Sequence, residues 1–150
     1  MRKLVREILV ETEFLFGLSA KDRLYPKVMR VLEKHRKGEV KIVVSSASPI
    51  EAALVLLSHS IDAETIVKIL KLMEAKLAKH RVNTYAPITL EAMWKAIELK
   101  KKYHDKLTLF DSIHISLAAT LNIPLLTSDK TMQNIMKTEN IRYLKYSTIA

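Results

Sequence analysis

The sequence predicts an α/β domain, a mostly parallel central sheet of about five strands with helices on both faces. Three observations lead there. Short apolar, β-branched runs alternate along the chain with stretches whose apolar residues recur at helical spacing. Runs so uniformly apolar suit strands buried on both faces, which parallel sheets covered by helices provide. The chain has 150 residues, 49% hydrophobic and 27% charged, with only 2 Gly and 4 Pro, so residues 1–150 are read as one compact, helix-rich domain.

Glu7 to Val10 reads as a short buried strand with Glu11 just beyond it. Asp22 is placed as the N-cap of a helix from about Arg23 to Lys37, with Pro26 near its start and Gly38 ending it. Val40 to Val44 is the second strand, and Ser-Ser-Ala-Ser-Pro is turn chemistry after it. Ser48 is expected to cap a helix whose first residue is Pro49 and which ends near Ser60. Asp62 caps a long amphipathic helix in which Ile66, Ile69, Leu70, Met73 and Leu77 recur at helical intervals. Asn83 to Ala86 is the weakest strand, Thr89 caps the next helix, and the methionines and Trp94, at helical intervals, are expected in the core. A helix from Phe110 to Leu121, a strand from Pro124 to Thr127, a helix from Lys130 to Lys137 and a strand from Ile141 to Tyr146 complete the chain.

Composition excludes several chemistries. No cysteine is present, which removes disulfides, thiolate metal sites and cysteine nucleophiles. The N-terminal apolar run is too short for a signal peptide and is soon interrupted by acids, and no segment has the 18 or so apolar residues of a membrane span. A cytoplasmic protein without membrane partners is expected. Neither a nucleophile elbow nor a Gly-rich phosphate loop accompanies the serines and histidines. Twenty-five Lys and Arg against 16 Asp and Glu give a net charge of +9, a field that attracts polyanions such as nucleic acid. Local clusters stand at Lys100, Lys101, Lys102 and Lys106 and at Lys76, Lys79, His80 and Arg81. Abundant Lys, Glu, Ile and Leu with scarce Asn and Gln point weakly to a thermophile.

Against that basic background, four acids need a reason. Asp111 and Asp129 bracket a run too apolar for a surface, and an ionised carboxylate is costly near a core unless it is paired or bound to a metal. In an open parallel sheet the carboxyl ends of strands and the amino ends of the following helices share one rim. Glu11 follows the first strand, Glu51 lies in the expected first turn after the second, Asp111 opens the helix leading into the fourth, and Asp129 follows the fourth. Carboxylates gathered there repel one another unless positive charge enters. Mg²⁺ or Mn²⁺, hard cations that prefer oxygen ligands, would supply it and suit phosphodiester hydrolysis. Thr12, Thr127, Ser128 and His114 fall near the same rim as secondary candidates.

The order of these segments resembles the PIN-domain ribonucleases, a family that includes VapC-type toxins and RNA-processing endonucleases. Ile8-Leu-Val-Glu-Thr-Glu stands where the family has a strand ending in an acid, and Pro49-Ile-Glu-Ala-Ala matches its helix-borne Glu. Leu109-Phe-Asp-Ser-Ile-His-Ile-Ser-Leu-Ala-Ala-Thr and Ile123-Pro-Leu-Leu-Thr-Ser-Asp-Lys resemble the segments that bring the other two acids. The resemblance implies a metal-dependent endoribonuclease using Asp111, Asp129, Glu51 and Glu11. For a lone domain it implies the toxin of a toxin–antitoxin pair, homodimeric and neutralised by a small antitoxin. A non-toxin PIN enzyme of RNA processing is one alternative, and an RNA-binding PIN-like module with weakened catalysis is another.

The second alternative comes from one departure. The family usually has Asp where this chain has Glu11, and the extra methylene moves the carboxylate by roughly 1.5 Å. Either Glu11 holds the metal through water, or Glu13 substitutes, or activity is weak. Each acid also has a purely structural use: Glu11 in a loop, Glu51 and Asp111 against helix dipoles, and Asp129 as a cap.

Overall fold

Ile8, Leu9 and Val10 are each completely buried, and the strand they form is the centre of the molecule. The computed structural model describes residues 5–149, so the first four residues of the N-terminal stretch, and Ala150, lie outside the described residues. The elements run β1 (Arg6–Val10), α1 (Thr12–Phe16), α2 (Tyr25–Arg36), β2 (Val40–Ser45), α3 (Ala47–Ser58), α4 (Ala63–Lys79) and β3 (Tyr85–Ala86). They continue with α5 (Leu90–Tyr103), a 3-10 turn (His104–Lys106), α6 (Leu109–Leu121), β4 (Leu125–Leu126), α7 (Lys130–Thr138), β5 (Tyr143–Leu144) and α8 (Tyr146–Ile149).

The five strands form one sheet in the order β3-β2-β1-β4-β5, and every pairing is parallel. Ile8 and Val10 point to one face, where Phe14, Val28, Leu32, Met73 and Leu77 cover them. Leu9 points to the other, against Ile115, Leu117, Leu125 and Met136. Alternation along a strand buried on both sides requires two such layers, and each fully buried Leu or Ile contributes about 1.5–3 kcal/mol. The expected α/β sheet with helices on both faces is what forms.

Asp62 and Thr89 cap α4 and α5 as expected, accepting from Thr65 N–H and Ala92 N–H. Gly38 ends the turn after α2 at φ +75, a conformation that a side chain would strain. Several boundaries differ. Asp22 does not cap α2. Its Oδ1 instead accepts from Leu24 N–H at 2.9 Å, closing a turn, so the helix begins at Tyr25 with Leu24 at its cap. Ser48 and Pro49 are the second and third residues of α3, not its cap and first residue. A helix's first-turn N–H groups have no intrahelical partner, so proline loses nothing there. That helix ends at Ser58, short of Ser60.

Extended backbone around β4 agrees with the expected stretch, since Pro124 accepts from Leu9 N–H and Thr127 donates to Leu144, although only Leu125 and Leu126 pair fully. The final expected strand is cut to Tyr143 and Leu144, because Tyr146 turns into α8 and buries its ring in the core. Met73, Met132 and Met136 are core residues, but Trp94 is 53% exposed and is not. Its helix turns a second apolar stripe outward.

Candidate functional site

The chain builds β1, β2 and β3 outward in one direction, then returns to lay β4 on the other side of β1. Strand order reverses between β1 and β4, the position at which open α/β sheets bind ligands. Glu11 leaves β1 at that point. It is the N-cap of α1, with Oε1 accepting from Glu13 N–H at 2.7 Å, and at 7% exposure it is buried. Burial pushes its carboxyl well above the ordinary 4.5, and the negative charges of Glu13, Glu51 and Asp111 push in the same direction.

Asp111 is the third residue of α6 and half-buried. Its Oδ2 accepts from Thr108 N–H while Thr108 Oγ1 accepts from Asp111 N–H, a reciprocal capping box. Burial raises its carboxyl above the ordinary value, the Thr108 bonds oppose the rise, and the charges of Glu51 and Asp129 add to it. Asp129 is exposed and caps α7, Oδ1 accepting from Met132 N–H at 2.9 Å. The structural uses weighed for both aspartates are therefore real, but each occupies only one of the two carboxylate oxygens. The acid most expensive to bury is Glu11, not either aspartate.

Glu51 sits in the second turn of α3 rather than the first, because the helix begins four residues before it. A first-turn dipole role is excluded by that register. Its Oε1 instead accepts from Thr12 Oγ1–H and lies 3.0 Å from His114 Nε2. Burial pushes the Glu51 carboxyl up, but these two partners outweigh it, and the net direction is down.

Of the secondary candidates, Thr12 and His114 join Glu51 in one buried network, which Ser45 completes at 2.8 Å from His114 Nδ1. Thr127 is buried under the rim, its Oγ1 accepting from Asp129 N–H. Ser128 donates to Glu13 from its backbone, at 2.5 Å, and from its hydroxyl. Both Glu13 oxygens are thus spent holding the β4 loop against α1, which leaves Glu13 poorly placed to substitute for Glu11.

Negative charge acts across the rim on two of the acids: Glu11 responds to Glu51 and Asp111, and Asp111 to Glu51 and Asp129. Among the described residues no three His, Asp or Glu side chains stand as a ready metal cluster. The donor chemistry nevertheless suits a hard divalent cation, since all four groups are carboxylates and the charges acting on Glu11 are negative. Binding one would require the acids to draw together.

A family model described as PIN domain matches residues 4–137. The chain belongs to the PIN domain family. No curated protein matches the sequence. Among solved structures, VapBC2 from Rickettsia felis, bound to a DNA fragment from its promoter, superposes with a TM-score of 0.65 at 16% identity, covering 93% of this chain and 98% of that one. A toxin–antitoxin complex from Klebsiella pneumoniae gives 0.53 at 16% identity, covering 81% and 86%. VapC20 from Mycobacterium tuberculosis, described as a toxin that cleaves the sarcin–ricin loop, gives 0.61 at 16%, covering 85% and 93%.

Within this PIN domain the residue that sequence reasoning passed over is Ser45. It closes β2 as a fully buried hydroxyl. Its signal was a polar residue directly after the apolar run Ile42-Val43-Val44, next to the rim. The basic clusters are partly committed elsewhere: Lys100 donates to His104 O, Lys102 pairs with Glu139 at 2.9 Å, and Lys76 donates to Leu18 O.

Proposed function

We propose that this PIN domain is a metal-dependent endoribonuclease, with Asp111, Asp129, Glu51 and Glu11 holding Mg²⁺ or Mn²⁺ against an RNA phosphodiester. One observation supports the reading: four carboxylates on separate elements line the rim where the strand order reverses, near enough for their charges to act on Glu11 and Asp111, and three of them cap or begin helices with one oxygen and leave the other uncommitted. A bound divalent cation would polarise the phosphodiester and ease deprotonation of the attacking water. Asp111 and Asp129 are each held at one oxygen by a helix cap, which leaves the second oxygen to turn toward a cation. Thr12 and His114 draw the Glu51 carboxyl below its ordinary value against the opposing effect of burial, which favours the ionised form able to act as a ligand or to accept a proton from water. The net charge of +9 favours a polyanionic substrate, and single-stranded or looped RNA is the class proposed.

The proposed setting is a toxin–antitoxin pair, in which the toxin is a homodimer neutralised by a small antitoxin. Support comes from the fold shared with toxin–antitoxin complexes. It also comes from an apolar groove lined by Leu15, Phe16, Leu18, Leu56, Ile69 and Leu72, which suits the apolar face of a partner helix. Growth arrest on expression, relieved by a co-encoded partner, separates this role from general RNA processing. The same fold supports a cytoplasmic setting, and among the described residues no helix is long and apolar enough to cross a membrane.

Cleavage of a mixed RNA pool with Mg²⁺, Mn²⁺ or EDTA tests the chemistry. Wild type should cut with metal only, and Asp111→Ala should lose at least ~100-fold, the scale of removing one group that stabilises transition-state charge. Cutting that survives both chelation and the substitution would sink the mechanism. A second reading, RNA binding without catalysis, is favoured by the burial of Glu11, which raises its carboxyl and opposes the ionised form that a metal ligand needs. Unchanged RNA affinity with no cleavage under either metal supports it.

A further inference from the structure

His114 is completely buried, and both of its ring nitrogens are engaged: Nε2 lies 3.0 Å from Glu51 Oε1 and Nδ1 lies 2.8 Å from Ser45 Oγ. A ring so committed has no nitrogen left to ligate a metal or pass a proton to water. We infer that His114 is a positioning residue, which grips one oxygen of Glu51 so that the other is presented to the acidic rim. The inference rests on the nuclease reading above and assigns within it a residue that acts only through Glu51.

The tautomer follows from the partners. Glu51 Oε1 accepts, so Nε2 must carry a proton, and in the neutral ring Nδ1 is then an acceptor. Ser45 Oγ–H donates to it. Ser45 is held by the end of β2, His114 by α6, Glu51 by α3 and Thr12 by α1, so four elements fix one carboxylate. Thr12 Oγ1 donates to the same Oε1 and lies 3.3 Å from Nε2. Among the described residues Oε1 receives both bonds and Oε2 receives none. Glu51 needs such a grip because, in the second turn of its helix, it has neither a cap nor first-turn N–H groups to orient it.

The alternative is a histidine that merely fills polar space in the core beside Ser45. Two substitutions separate the roles. A glutamine amide reaches the position of Nε2 and can hold Glu51, whereas an asparagine amide reaches only the position of Nδ1 and can satisfy Ser45. Positioning ranks His114→Gln above His114→Asn; space-filling ranks them the other way.

The test is Mn²⁺ titration of the metal-free protein by calorimetry, with RNA cleavage and thermal melting measured alongside. His114→Asn should bind Mn²⁺ roughly 10- to 100-fold more weakly, the usual loss when a group orienting a metal ligand is removed. Its kcat should fall at saturating Mn²⁺ with KM for RNA unchanged, and His114→Gln should recover most of both. Ser45→Ala, which frees the ring without touching Glu51, should weaken Mn²⁺ severalfold. Asparagine equal to or better than glutamine, or Ser45→Ala with wild-type affinity, overturns the inference alone. Wild type that binds no Mn²⁺, or whose binding Asp111→Asn leaves untouched, overturns the nuclease reading and this inference with it.

Discussion

Ionising Glu11 puts a negative charge on a buried helix cap beside three other acids, and folding must bear that cost when no cation is present. Its carboxyl is raised above the ordinary 4.5, so the folded protein keeps the proton to higher pH than the unfolded chain. The unfolded state then binds fewer protons over that window, and stability falls as pH rises from about 4.5 through the raised value. Asp111, raised above 3.8, acts in the same direction. Glu11→Gln keeps an oxygen for the Glu13 N–H while removing the charge. In EDTA, this variant should match wild type in melting temperature near pH 4 and exceed it at pH 8. Mn²⁺ should narrow the gap at pH 8, adding about 2.7 kcal/mol to wild type at a hundredfold excess over its Kd and less to the variant, which binds it more weakly. An identical offset at both pH values would show that Glu11 ionises without penalty. Glu51, lowered by His114 and Thr12, is the opposite case, and stability it lends is lost only as pH falls through its depressed value.

α1 is five residues long, yet it sets the position of Thr12 and Glu13 and is pinned against α2 at Gly17. A Cβ on Gly17 would lie 2.5 Å from Val28 Cγ2 and 3.2 Å from Glu13 O, contacts that neither a packed valine nor backbone can absorb cheaply. Gly17→Ala should therefore cost about 1–3 kcal/mol in urea denaturation with an unchanged m-value. No loss would mean that α1 slides freely, and the rim with it. This short helix is also what the sequence concealed. Five residues give no periodicity to detect, and its cap, Glu11, is outside the usual capping set. Longer elements announced themselves through Asp62, Thr89 and Gly38, whose side chains or backbone freedom act locally. Pro49 misled because a proline fits anywhere in a first turn. The rim could be inferred from strands and helices alternating in a parallel sheet, so all four acids were expected on it. The grip of His114 and Ser45 on Glu51 could not be, because it exists only where four elements distant in sequence meet.

At the scale of the molecule, two helices leave an apolar face uncovered. Ile50, Leu54 and Leu57 on α3, and Leu90, Trp94 and Ile97 on α5, repeat at i, i+4 and i+7, and each is half or more exposed. Such spacing puts each trio on one side of its helix, where a buried surface would be expected. Stripes of this kind mark interaction surfaces more often than bare surface. The proposed homodimer would cover them. Two copies each carrying +9 repel at long range, so the apolar contact must overcome that repulsion, and salt, by screening it, should favour association. Sedimentation velocity should find a dimer whose dissociation constant tightens between low and moderate salt. Leu54→Glu with Trp94→Glu should return the monomer while circular dichroism still reports the folded domain, because both side chains already face outward. A wild type that stays monomeric at every concentration and salt tested would remove the homodimer and leave these stripes to another partner.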